Sequence, residues 1–195
     1  MIWWCKNRGV AVVLACSVSM AVLVVLTGNS IRDIPVIFGG VALRAPLVFF
    51  GSLVVIVAHG WSVARNPVEL ELRSRRPVRW ADVGLMVAAA LPLLATIVCP
   101  GLIEVGLVIL RNTVIGMGLT LLCARFMSRG LASMPAVGMF LIGVLTGRGY
   151  GHEAWWNWVV SSSASPVGAA WFLGSVIAGS AATLTGRARK PRVSS

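Results

Sequence analysis

The sequence is short of charge. Only 12% of its 195 residues are Asp, Glu, Lys or Arg, against about a quarter in an ordinary soluble domain. Acidic residues number six and histidines two, and no pair of them is placed for acid–base work. The four cysteines, Cys5, Cys16, Cys99 and Cys123, share no CxxC. Neither zinc spacing nor a disulfide framework is indicated. Three of them lie in or at the ends of apolar runs, where a free cysteine behaves as a small hydrophobe. P-loop, GxGxxG and HExxH motifs are all missing, which excludes the chemistries those motifs carry. The chain is therefore not expected to be an enzyme, or to hold a metal or cofactor of its own.

What is present is apolar: 57% of residues are hydrophobic. They form long blocks separated by short polar gaps. The expected architecture is one integral membrane domain over residues 1–195, an all-α polytopic helix bundle of about six transmembrane helices. Six candidate spans emerge, at 9–27, 35–59, 81–99, 102–124, 131–146 and 167–185. Most match the roughly 17–25 residues that cross about 30 Å of hydrocarbon at about 1.5 Å per residue. The fifth is the shortest. The first follows Lys6 and Arg8 but is long for a signal peptide and lacks an A-x-A site, so it reads as an uncleaved span.

The formal charge is +11. In a soluble protein that excess would point to nucleic acid. Here the basic residues fall in alternate gaps. Lys6 and Arg8 precede span one, and Arg65, Arg73, Arg75, Arg76 and Arg79 follow span two. Arg125 and Arg129 follow span four; Arg187, Arg189, Lys190 and Arg192 follow span six. The other gaps hold Arg32 with Asp33, then Cys99-Pro100-Gly101, then Arg148 with Glu153. An even number of spans separates the basic clusters, so the positive-inside rule places them and both termini in the cytoplasm. The implied partner is a lipid bilayer, not nucleic acid. Trp3, Trp4, Trp61 and Trp80 then lie near the inner boundary, and Trp155, Trp156 and Trp158 near the outer one, as interfacial tryptophans do.

Three stretches carry more than span pattern. In the inner gap, Pro67 can open a short helix over 68–76, and Pro77 stops it. Glu69 and Glu71 come early, and Arg73, Arg75 and Arg76 come late, which suits the helix dipole and gives two i,i+4 pairs. Such a helix would lie on anionic lipid or dock a cytoplasmic partner. In the outer gap, "HEAWWNWVV" reads as a helix too short to cross. It would lie in the interface or dip and return, making Trp155, Trp156 and Trp158 re-entrant candidates. His152 and Glu153 are sequence neighbours, which on a helix point apart, so they do not form an acid–base pair.

The third stretch is "VILRNTVIGMG", residues 108–118. Arg111 falls inside span four, about 15 Å from its outer end. Arg44 falls inside span two, roughly 13 Å from that face by the same rise. Glu104 is two turns above Arg111 and about 10 Å away, too far for contact. Intramembrane charges face a bundle interior or a pathway. Arg44, Glu104, Arg111 and Asn112 are thus candidates for a substrate path or for helix packing. Arg111 either bonds backbone carbonyls of a neighbouring helix or lines a path or protomer interface. Gly116, Gly118, Gly174 and Gly179 supply small residues for close helix approach.

The segment "LRNTVIGMGLTLLCARFMSRGLASMPAVG" resembles a stretch of small six-span ABC-2-type transporter permease subunits of actinobacterial exporters. The matching positions are Arg111, Asn112, Gly118, Leu119, Arg125, Ala132 and Pro135. The resemblance spans about 30 residues. It implies a membrane permease subunit that moves a peptide or secondary metabolite, paired with a second copy or a second permease. It also implies a cytoplasmic ATPase subunit docked on 68–76, through Glu69, Glu71, Arg73, Arg75 and Arg76. ATP and Mg would then be bound by that partner. About eight residues precede span one, shorter than the surface gate helix of such subunits. The alternative is a membrane scaffold or accessory subunit without transport activity of its own.

Overall fold

A computed structural model of the chain describes residues 5, 8–27, 31–34, 43–65, 78–146 and 155–185. Six helices dominate it: α1 Val10–Thr27, α2 Gly51–Ala64, α3 Val78–Ile97, α4 Ile103–Cys123, α5 Met134–Thr146 and α6 Pro166–Thr185. Four of these, and α5 taken with the single 3-10 turn Arg129–Leu131 ahead of it, are long and apolar enough to cross a membrane; α2, at 14 residues, is the shorter one. A helix is the natural form for such blocks, because it satisfies every interior backbone group within one segment. The chain is a helical bundle compatible with a multi-pass membrane protein.

The bundle is built around α4. It packs on α2, α3, α5 and α6, and its contact with α6 is the most extensive of any pair. Fourteen of the 21 residues of α4 are buried, against three of the 20 in α6. A largely apolar helix belongs at the centre, and α4 also carries four of the fifteen buried polar or charged side chains among the described residues, Arg111, Asn112, Thr113 and Thr120, more than any other element. The outer helices turn Val18, Val22, Leu26, Val87, Leu91, Leu173 and Ile177 outward. In lipid such exposure carries no penalty.

Short connections fix the neighbours. Between α3 and α4, the Leu102 N–H bonds the Cys99 carbonyl at 3.2 Å, and Gly101 takes φ +79°. Pro100 followed by a positive-φ glycine is the type II turn pattern. Close approach of backbones joins α4 to α6. A Cβ on Gly118 would lie 2.6 Å from the Ser175 carbonyl oxygen, and one on Gly179 would lie 2.5 Å from that of Gly118. The small residues seen in the sequence therefore act within the chain at Gly118 and Gly179, while Gly174 faces open space.

The second expected span is not one helix. Ile31–Ile34 pairs antiparallel with Leu43–Pro46, strands β1 and β2 of a two-stranded ribbon, and a 3-10 turn Leu47–Phe50 leads into α2. The helix starts at Gly51, not at residue 35, and runs on to Ala64. Arg44 is thus on a strand, opposite Asp33 in the register, and not within a membrane helix. Pro46 offers a reason for the break, since it has no N–H for a helical ladder.

Candidate functional site

The interior of the bundle holds a piece of chain that is not helical. Residues 155–165, leading into α6, consist of turns and bends. Asn157, Trp158, Val159, Val160, Ser161 and Ser165 are nevertheless buried. Helix over 152–160 was the expectation. Its first residues, His152 and Glu153, lie outside the described residues, and Trp155–Val160 contains no helix. Its composition favours burial as much as helix, and four of its carbonyls accept from side chains of α4, beside bonds within the segment from the Ser161 hydroxyl to Trp158 and from the Ser165 N–H to Ser162.

Arg111 is the main donor. Its side chain, 7% exposed, sends Nη1 to the Ser162 carbonyl at 2.7 Å. Its Nη2 reaches the carbonyls of Trp158 at 2.8 Å and Ser161 at 2.9 Å. Nε and Nη2 also approach the Asn112 Oδ1 at 3.3 Å. Asn112 in turn donates Nδ2 to the Val159 carbonyl at 3.0 Å. Two neighbouring side chains on one helix thus hold four carbonyls of one loop. The planar guanidinium suits this, since its donors are fixed in a fork. Leaving even one buried carbonyl unpaired would cost about 1–3 kcal/mol.

The other helices are shaped around the same segment. Gly168 on α6 lies against the guanidinium, and a Cβ there would collide with Nη1 and come 2.9 Å from Cζ. Gly143 on α5 leaves room for Asn157 and Val159, its virtual Cβ lying 2.8 Å from the Asn157 Oδ1. Asn157 donates to the Gly143 carbonyl at 3.2 Å. Trp158, fully buried, meets Phe140 of α5 edge-on, with ring centres 6.2 Å apart. Trp171 of α6 donates its indole N–H to the Trp155 carbonyl at 2.7 Å. The three tryptophans therefore part company. Trp158 is core, Trp156 is half-buried and Trp155 is exposed.

The remaining sequence candidates scatter. Glu104 is exposed in the first turn of α4, where an acid complements the helix dipole. It does not join the Arg111 cluster. Glu69, Glu71, Arg73, Arg75 and Arg76 lie outside the described residues. A second polar contact sits at the other end of the bundle and was not singled out from the sequence. Arg8 pairs with Asp82 of α3, Nη2 reaching Oδ1 at 2.8 Å and Oδ2 at 2.9 Å, with both residues buried. His59 of α2 is fully buried within electrostatic reach of Arg8, and neither ring nitrogen has a hydrogen-bond partner among the described residues. The signal was available: Asp82 is an isolated acid at the start of a span, and Arg8 is the last cation before another.

Chemically, the Arg111 site is a clamp. The charge is surrounded by carbonyl dipoles, and hydrogen bonds engage all three guanidinium nitrogens. Among the described residues, no three His, Cys, Asp or Glu side chains gather as metal ligands would. No protein-family model, curated protein or solved structure matches the chain.

Proposed function

We propose that the chain is a membrane-spanning permease subunit of an ABC-type exporter in the cell membrane, moving a peptide or secondary metabolite with energy from a separate ATPase subunit. The reading starts from the resemblance of residues 110–138. The structural observation that carries it is the buried, non-helical segment 155–165. Irregular backbone is kept at membrane depth where it is enclosed by protein or borders a cavity, as in the broken helices of transporters. Arg111 and Asn112, the first two residues of the resembling motif, are the ones that hold this segment.

Six crossings with both termini in the cytoplasm are part of the proposal. Contacts support it. Arg8 with Asp82, Gly9 with Trp61 and Gly60 with Ser133 gather at one end, which is the end flanked by basic gaps. Gly106 with Thr96 lies at the other. In this frame residues 68–76 face the cytoplasm as the docking site for the ATPase, and a second copy or second permease completes the unit. ATP and Mg belong to the ATPase.

One observation favours the second reading, a scaffold or accessory subunit. Arg111 bonds three backbone carbonyls and the Asn112 amide oxygen, an arrangement that suits a lock better than a free charge lining a path. Purification of the tagged chain from its native membrane distinguishes the two. The exporter reading expects a P-loop ATPase to co-purify, and to be lost when Arg75 and Arg76 are changed to Glu. A chain that purifies alone supports the scaffold.

A further inference from the structure

An open groove runs down the outside of the bundle between α1 and α2. Its volume is about 500 Å³. Val12 and Cys16 of α1 and Val54, Val57 and Trp61 of α2 line it. The lining is apolar, and Val12, Val54, Val57 and Trp61 are all exposed. At its inner end the character changes. Trp61 is wedged against Gly9, which holds φ +61° beside it, and the Arg65 guanidinium lies 4.4 Å above the Trp61 ring. Arg65 is exposed.

The geometry points to a retained phospholipid with an anionic headgroup, its acyl chain in the α1–α2 groove and its phosphate on Arg65. The shape selects a chain over a helix. A helix with side chains is about 10–12 Å across, so about one turn of it would take up the whole of a groove of about 500 Å³. The charge selects the headgroup. A cation stacked on an aromatic ring keeps its edge N–H groups for an acceptor, and one arginine at the surface favours anionic lipid by about fivefold. Trp61 links the two halves, since it lines the groove and carries Arg65 over its ring. The site rests on the chain being in a membrane. It is independent of whether the chain transports anything.

The test is native mass spectrometry of the full-length, detergent-purified protein, with phosphatidylglycerol or phosphatidylcholine of identical acyl chains added at equal concentration. The wild-type protein is expected to retain phosphatidylglycerol roughly fivefold more than phosphatidylcholine. Arg65→Gln should bring the two to parity. Val57→Trp, which fills the groove from an exposed position, should remove the retained lipid of either kind while the protein stays monodisperse and helical. Equal retention of both lipids by the wild type would overturn the headgroup assignment. Unchanged phosphatidylglycerol retention in Val57→Trp would overturn the groove, because the preference would then come from other basic residues.

Discussion

Arg111 and Trp158 stand 47 positions apart in the chain, and Nη2 of the first bonds the backbone carbonyl of the second at 2.8 Å. The bond links the central helix to a buried loop, and it explains why a guanidinium is kept in an apolar bundle. Placing arginine at mid-membrane costs about 2.5–3.5 kcal/mol on insertion scales. The site offsets that cost with three carbonyls, at Trp158, Ser161 and Ser162. Arg111→Ala should therefore lower stability by about 1–3 kcal/mol, since the Ser161 carbonyl loses the Arg111 donor while those of Trp158 and Ser162 keep bonds from the Ser161 hydroxyl and the Ser165 N–H. Arg111→Lys should recover only part of this, because an ammonium lacks the planar fork. Thermal unfolding in detergent measures both.

Glycine substitutions should divide by neighbour. At Gly118 the obstacle to a Cβ is the Ser175 backbone, which cannot rotate away. Gly118→Ala should cost about 1–3 kcal/mol, as overpacking does. At Gly174 nothing lies within 4 Å. Gly174→Ala should be neutral or stabilising, by up to about 1 kcal/mol of helix propensity. The two melting temperatures, compared with wild type, decide it.

At the other end of the bundle, Asp82→Ala should destabilise by about 3–5 kcal/mol, the usual cost of stranding a buried charge. Exchanging the pair, Arg8→Asp with Asp82→Arg, should recover part of the loss. A double-mutant cycle in detergent gives the coupling, and a coupling near zero would mean that the 2.8 Å contact contributes nothing.

The tryptophans give a contrast within one segment. Trp158 is fully buried against Phe140, and Trp158→Ala should cost about 3–5 kcal/mol. Trp155 has an exposed ring and contributes a backbone carbonyl to the bond from Trp171. Trp155→Ala should stay within about 0.5 kcal/mol. Chemical denaturation of both variants separates them.

Much of the helical frame was legible. The edges of α1, α3, α4 and α6 fall within three residues of those read from apolar length and basic gaps, because both signals are local. Arg111 was legible as an interior charge for the same reason. Its partners were not. They are backbone carbonyls of a segment about 50 positions on, and any residue can supply a carbonyl. The aromatic run 155–160 reads as helix by composition, yet its shape is decided by donors on α4. The ribbon of β1 and β2 was missed because an apolar run does not distinguish strand from helix. Pro46 and the pair Gly39-Gly40 were the local hints. Arg8 and Asp82 were each visible, but pairing them required the packing of α1 on α3.

The central claim is that Arg111 holds residues 155–165 inside the bundle. It is tested most directly by thiol accessibility at Ser161, which is buried and gives its carbonyl to Arg111. Ser161→Cys is made in a chain whose four native cysteines are replaced by alanine, with and without Arg111→Gln, and each protein is exposed to a bulky water-soluble maleimide in detergent. The expected result is slow labelling when Arg111 is present and labelling at least tenfold faster in Arg111→Gln, in protein that remains helical. Tenfold corresponds to about 1.4 kcal/mol of lost protection. Equal rates in the two backgrounds would contradict the clamp.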